Sequence, residues 1–161
     1  MNNQLFDEQA FLSQTTTTAL AARPPIPAGS ELIGVLGTPK ARRTQGTKEW
    51  NRGQVYTVVD FPVSIELTPE LKALTHLGTM TLTHSVFVDT TPDGRIDNSP
   101  GASAQLRYLR DAAGMNVEGR EFNINMLAGR PVRVLIGHRP IVRDGTATDE
   151  VTEFIHRVGK P

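Results

Sequence analysis

Cysteine is absent from the 161 residues, which excludes disulfides, thiolate metal sites and a cysteine nucleophile and fits a reducing cytosol. No apolar run approaches the roughly 20 residues of a membrane span. The first residues do not set a basic stretch ahead of an apolar block, so neither a span nor a signal peptide is expected. Formal net charge is zero, which argues against attachment to nucleic acid by bulk charge alone. Clustered catalytic or metal-binding residues are missing too. His76, His84, His138 and His156 fall in unlike segments without metal spacing, although His138 and His156 are candidates to face each other across a hairpin. Asp89, Asp93 and Asp97 lack the order and terminal Glu of a calcium loop. Asp60 and Glu66 have no companion base, and Lys40 after Gly34 and Gly37 lacks the Ser or Thr of a phosphate loop. The expectation is a protein that is not an enzyme and carries no cofactor or metal.

What the chain does contain is extended pattern. Apolar residues make up 38%, with 11 Pro and 14 Gly spread between them, and the length suits one domain. In Pro131–Ile136 the residues Val132, Val134 and Ile136 share one face. In Glu150–Val158 the residues Val151, Glu153, Ile155 and Arg157 share a face, with Thr152, Phe154 and His156 opposite. With the Gly/Asp/Thr turn Arg143–Thr148 between them, these two runs predict an antiparallel C-terminal hairpin.

Earlier segments supply three more strands. Ser30–Thr38 is the first, with Gly34 and Gly37 at bends or a bulge. Gly53–Leu67 is a long second, interrupted around Asp60–Pro62, and Thr79–Val88 is the third. Pro39–Arg52 reads as a polar, basic loop. Thr68-Pro69 opens a short helix through Leu74. Ser103 or an adjacent residue caps a helix through Ala113 that Gly114 ends in the left-handed conformation, and a short turn follows at Asn123–Leu127. The order β–β–β–α–β–β is that of an OB-fold, so the expected fold is mainly β: a five-stranded OB-like barrel with one helix between strands three and four. The expected organisation is an arm over residues 1–26, a domain over 27–158 and a tail over 159–161.

Charge is unevenly spread. Thr38–Gln54 holds five basic residues and one acid, Arg120–Arg143 five arginines and one acid, and Asp60–Asp97 six acids against Lys72 and Arg95. Such segregation gives a neutral molecule the means of a basic face.

Several segments together resemble a family of phage-encoded single-stranded DNA-binding proteins. They are Pro27-Ala28-Gly29 and the basic loop beyond the first strand, Leu106–Gly114 (LRYLRDAAG), Leu127–Val134 (LAGRPVRV) and Asp149-Glu150-Val151. The resemblance covers roughly Pro27 to Arg157 and implies an OB-fold that coats exposed DNA without sequence preference. It further implies a homo-oligomer, a dimer, working with phage replication or recombination proteins in the cytoplasm of an infected bacterial host. The chain departs from cellular relatives of that family in ending Arg157-Val158-Gly159-Lys160-Pro161, without an acidic tail.

Single-strand binding needs cations along a groove and flat rings on which bases stack. The cations nominated are Lys40, Arg42, Arg43, Lys48 and Arg52 from the first loop, with Arg130, Arg133, Arg139 and Arg143 around the fourth strand. In an OB-fold these two loops would flank the ligand cleft. Trp50, in a polar loop without apolar neighbours, is either a stacking residue or a ring folded onto the rim. Tyr56 is the second stacking candidate. Phe61 and Phe87 lie in the expected cleft strands two and three but read as core, and Tyr108 as packing against the barrel or a partner subunit. The rival reading is a phage virion structural or capsid-decoration protein, whose Thr15–Thr18 arm would lie over a neighbouring subunit.

Overall fold

The computed structural model describes residues 5–161. Six strands form one mainly antiparallel sheet: β1 (Glu31–Leu36), β2 (Lys40–Gln45), β3 (Val55–Glu66), β4 (Thr79–Val88), β5 (Pro131–Arg143) and β6 (Thr146–Gly159). Three helices accompany them: α1 (Glu8–Leu12), α2 (Pro69–Thr75) and α3 (Ala104–Ala112). None of the described helices is long and apolar enough to cross a membrane.

β3 is the centre of the sheet. It pairs with β4 along one edge and with both β1 and β2 along the other. Leu36 is in register with Val63 and Lys40 with Asp60, so three residues on one side face two on the other. β1 and β2 are therefore one strand with a bulge between them, and the expected loop Pro39–Arg52 is a strand over its first half. Two glycines let the backbones come close at this bend. A Cβ on Gly34 would lie 2.5 Å from Val63 Cγ1, and one on Gly37 would lie 2.9 Å from the Pro62 carbonyl, which accepts the Gly37 N–H. The interruption at Asp60–Pro62 does not split β3, which runs through it unbroken.

β1 pairs on its other side with β5, and β5 with β6. That hairpin is longer than the pattern predicts. Its turn narrows to Asp144-Gly145, both at positive φ as a two-residue type I′ turn requires. Pro140 sits at a register shift, where its missing N–H breaks no ladder.

The expected barrel is corrected here: the sheet does not close. Among the described residues no ladder joins β4 to β6. Helix α3 takes the place of that ladder. Leu106, Leu109 and Ala112 are buried in the core, and α3 contacts both strands. Its Gln105 Oε1 accepts the Phe87 N–H at 2.8 Å, and the Ser103 hydroxyl oxygen accepts the Asp89 N–H at 3.1 Å. Two donors that a closing strand would have taken are thus used by side chains. Ser103 heads α3 without capping it, because its hydroxyl is turned to Asp89 and Asp97 instead. Elsewhere the local signals hold: Thr68 Oγ1 accepts the Leu71 N–H, and Gly114 follows α3 at φ 70°.

The core comprises the inward residues of the strands, among them Val59, Phe61, Val63, Ile65, Val86, Val132, Val134 and Ile136, with Leu106, Leu109 and Leu127. Phe61 is fully buried at its centre. Ile26 is also fully buried. Its N–H lies 3.5 Å from a Glu153 carboxylate oxygen, and its carbonyl lies 2.6 Å from His138 Nε2. His138 is in register with Glu153, and His156 stands against Phe154 instead, so the two histidines do not face each other.

Candidate nucleic-acid interface

Period-2 alternation gives β3 and β4 a second face. Val59, Phe61 and Val63 point into the core, so Tyr56, Val58 and Asp60 point away from it. On β4 the same face carries Thr83, Ser85 and Phe87, and on β2 it carries Lys40, Arg42 and Thr44. Phe87 is 45% exposed and meets Tyr56 edge-on, ring centroids 5.8 Å apart. The Tyr56 hydroxyl donates to Gln54 Oε1 at 2.7 Å.

Trp50 is delivered to this face by a 3-10 turn, Glu49–Asn51. Asn51 Oδ1 accepts the Lys48 N–H at 3.0 Å, and the Lys48 carbonyl accepts the Asn51 N–H at 3.1 Å. The indole is 73% exposed. With Lys48, Tyr56 and Phe87 it lines a shallow depression of about 340 Å³.

A larger groove of about 800 Å³ lies where the sheet fails to close. One wall is β4 from Thr83 to Phe87, the other is β6 from Phe154 to Lys160, and α3 contributes Gln105, Tyr108 and Asp111. Tyr108 is 57% exposed, with the Arg107 guanidinium 5.1 Å from its ring centroid. Arg139 lies flat on the β6 wall, its guanidinium carbon 4.0 Å from the centre of the Phe154 ring. Arg157 and Lys160 add positive charge. His84, on the wall facing Phe61, has its pKa lowered by burial, which favours the neutral ring. Phe87 lines both depressions, and the rings of Trp50, Tyr56, Tyr108 and Phe154 each line one of them.

The nominated cations divide into two groups. Lys48 and Arg139 line the two depressions. Arg42 shares the Tyr56 face but is committed to Asp60: its Nε donates at 2.7 Å, and Ser85 Oγ donates to the same carboxylate at 2.5 Å. These bonds hold the Asp60 carboxyl below the usual carboxylate range, Arg42 contributing most, and the bond and charge of Asp60 raise the Arg42 pKa. Lys40 is in register with Asp60, while Arg43, the next residue after Arg42, faces the opposite side of β2. Arg52 is exposed beside the turn that carries Trp50. Arg133 pairs with Glu31 at 3.5 Å on the outside of β5, and Arg143 pairs with Glu150 at 2.9 Å near the hairpin tip. Arg133 and Arg143 line neither depression, and nor does the exposed Arg130 ahead of β5.

Sequence reasoning missed Phe87, Tyr108, Phe154, Arg157 and Lys160 as site residues. Phe154 had a visible signal, since it alternates with the inward Glu153 and Ile155. For the others only the position of the open edge decides. No group of His, Asp or Glu suited to a metal ion occurs among the described residues. No family model and no curated protein matches the chain. No relative therefore supports the expected phage family membership and bacteriophage source, and the open sheet overturns the expected OB-fold.

Proposed function

We propose that the protein binds single-stranded nucleic acid without sequence preference, along the surface that runs from Trp50 to Lys160. The observation that carries this reading is the shared position of Phe87, which joins the Trp50–Tyr56 depression to the groove between β4 and β6. A duplex hides its base faces, whereas a single strand offers one flat face per nucleotide to successive rings. Lys48 stands at one end of the surface and Arg139, Arg157 and Lys160 at the other, spaced to meet phosphates. Zero net charge is compatible with this, because the binding face needs only local positive charge.

In this reading Tyr108 stacks bases in the groove, and the Arg139 guanidinium, seated on the Phe154 ring, meets the backbone passing over it. Arg42 acts as a positioning residue, fixing Asp60 and Ser85 beside Phe87 rather than holding phosphate. A cytoplasmic location would follow from such a ligand.

The test uses Trp50, the chain's single tryptophan, as reporter. Adding oligo-dT should quench its fluorescence saturably, and the affinity should fall as salt rises. Absence of quenching and of any anisotropy change with labelled oligo-dT at low salt would remove the proposal.

A further inference from the structure

The N-terminal arm has a composition that the domain itself does not use. Leu5, Phe6, Phe11, Leu12 and Leu20 are all exposed, and none packs on the core. Asp7 caps α1, its side chain accepting the Ala10 N–H at 3.0 Å, and the Phe6 and Phe11 rings lie 5.6 Å apart. The arm therefore presents a small apolar cluster already in shape. Between Leu5 and Ala22 the only charged residues are Asp7 and Glu8.

The groove between β4 and β6 is its complement. It offers the half-exposed rings of Phe87 and Tyr108, together with Phe154, and its charged side chains are Arg139, Arg157 and Lys160 against Asp111. The arm is rooted beside it. Arg23 Nη2 donates to Glu153 at 2.7 Å, and Glu153 is the neighbour of Phe154 on β6. The ten residues from Ser13 to Ala22 can span roughly 33–36 Å when extended, enough to reach an adjoining molecule. Within the single chain, no hydrogen bond ties the described residues before Arg23 to the body.

We propose that the arm of one copy lies in the β4–α3–β6 groove of a second copy. The exchange is reciprocal, which closes a two-fold dimer and prevents an open chain of copies. The dimer and a nucleic-acid strand then compete for one surface. The competition rests on the nucleic-acid reading, whereas the dimer does not.

The experiment measures the mass of the full chain by light scattering between low and high micromolar concentration, without nucleic acid. The natural chain should show twice the monomer mass at the upper end. The full-length variant Phe6→Ser/Phe11→Ser/Leu12→Ser changes only exposed arm residues and should remain monomeric. Arg157→Glu/Lys160→Glu should weaken the dimer at least tenfold, and adding Glu8→Lys to that variant, with the α1 cap Asp7 kept, should recover at least part of the loss. A monomeric natural chain, a dimeric arm variant, or absence of rescue by the charge swap would each overturn the proposal. In parallel, the arm variant should bind labelled oligo-dT several-fold more tightly than the natural chain at concentrations where the latter is dimeric. If neither binds oligo-dT while the mass results hold, the nucleic-acid reading and the competition are refuted and the arm exchange stands.

Discussion

Replacing Phe87 by alanine tests the proposed surface at the point where its two halves meet. The ring is 45% exposed and its backbone N–H is held by Gln105, so truncation leaves the β4 ladder and the helix contact in place. One base stack is worth about 1–3 kcal/mol. At 1.4 kcal/mol per factor of ten, the Kd for oligo-dT should rise roughly 5- to 140-fold. Stability should fall modestly. The lost edge-on contact with Tyr56 is worth about 0.5–1.5 kcal/mol, or a fall of about 1–6 °C in Tm for a chain of this size. The assay is fluorescence anisotropy of a labelled oligo-dT at several salt concentrations, beside thermal unfolding followed by circular dichroism. Because no charge is removed, the slope of log affinity against log salt should not move. Unchanged affinity in a folded variant would refute the continuous surface. A change in slope as large as that caused by removing an arginine would refute stacking as Phe87's role.

The arginines give the opposite signature. Arg139→Ala should lower the salt slope by about 0.7, one phosphate contact on a single strand, while Arg133→Ala, whose side chain is held by Glu31 and by the Lys160 carbonyl, and Arg143→Ala, whose side chain pairs with Glu150, should leave it unchanged. The same salt titration compares all three. Gly34→Ala should destabilise by about 1–3 kcal/mol in urea unfolding, because its new Cβ would meet Val63 Cγ1 inside a packed sheet. His84 carries a pH dependence. Burial lowers its folded pKa, so below about 6.5 the unfolded chain binds the proton more readily. Stability should therefore decline as pH falls through that value toward the lower folded pKa. His84→Gln should remove that part of the decline in denaturant midpoints measured from pH 8 to 5.

What was legible in the sequence was local. Alternation along Pro131–Ile136 and from Glu150 to Ile155 set which side chains face inward, because adjacent residues of a strand must point to opposite sides. A register shift beyond Ile155 turns Arg157 outward and Val158 toward the core, against the expected pattern. Thr68-Pro69 opens α2 and Gly114 follows α3 for equally local reasons of hydrogen bonding and backbone freedom. Trp50 is exposed because the polar residues around it build a tight turn and no apolar neighbour draws it in. Lys40–Gln45 escaped notice as a strand since its side chains are nearly all exposed and carry no hydrophobic period. Its strand character comes from pairing with β3, a partner distant in the chain.

Tertiary structure alone decided that the sheet stays open. Strand order does not say whether the edges of β4 and β6 meet. That depends on α3 wedging Leu106, Leu109 and Ala112 into the core while Gln105 takes a donor of β4 and Ser103 that of Asp89 just beyond it. The groove exists because of that substitution, and only there do Phe87, Tyr108, Phe154 and Lys160, far apart in sequence, become neighbours. Residue types fixed the chemistry available to the surface, and the unpaired edge determined where it is displayed.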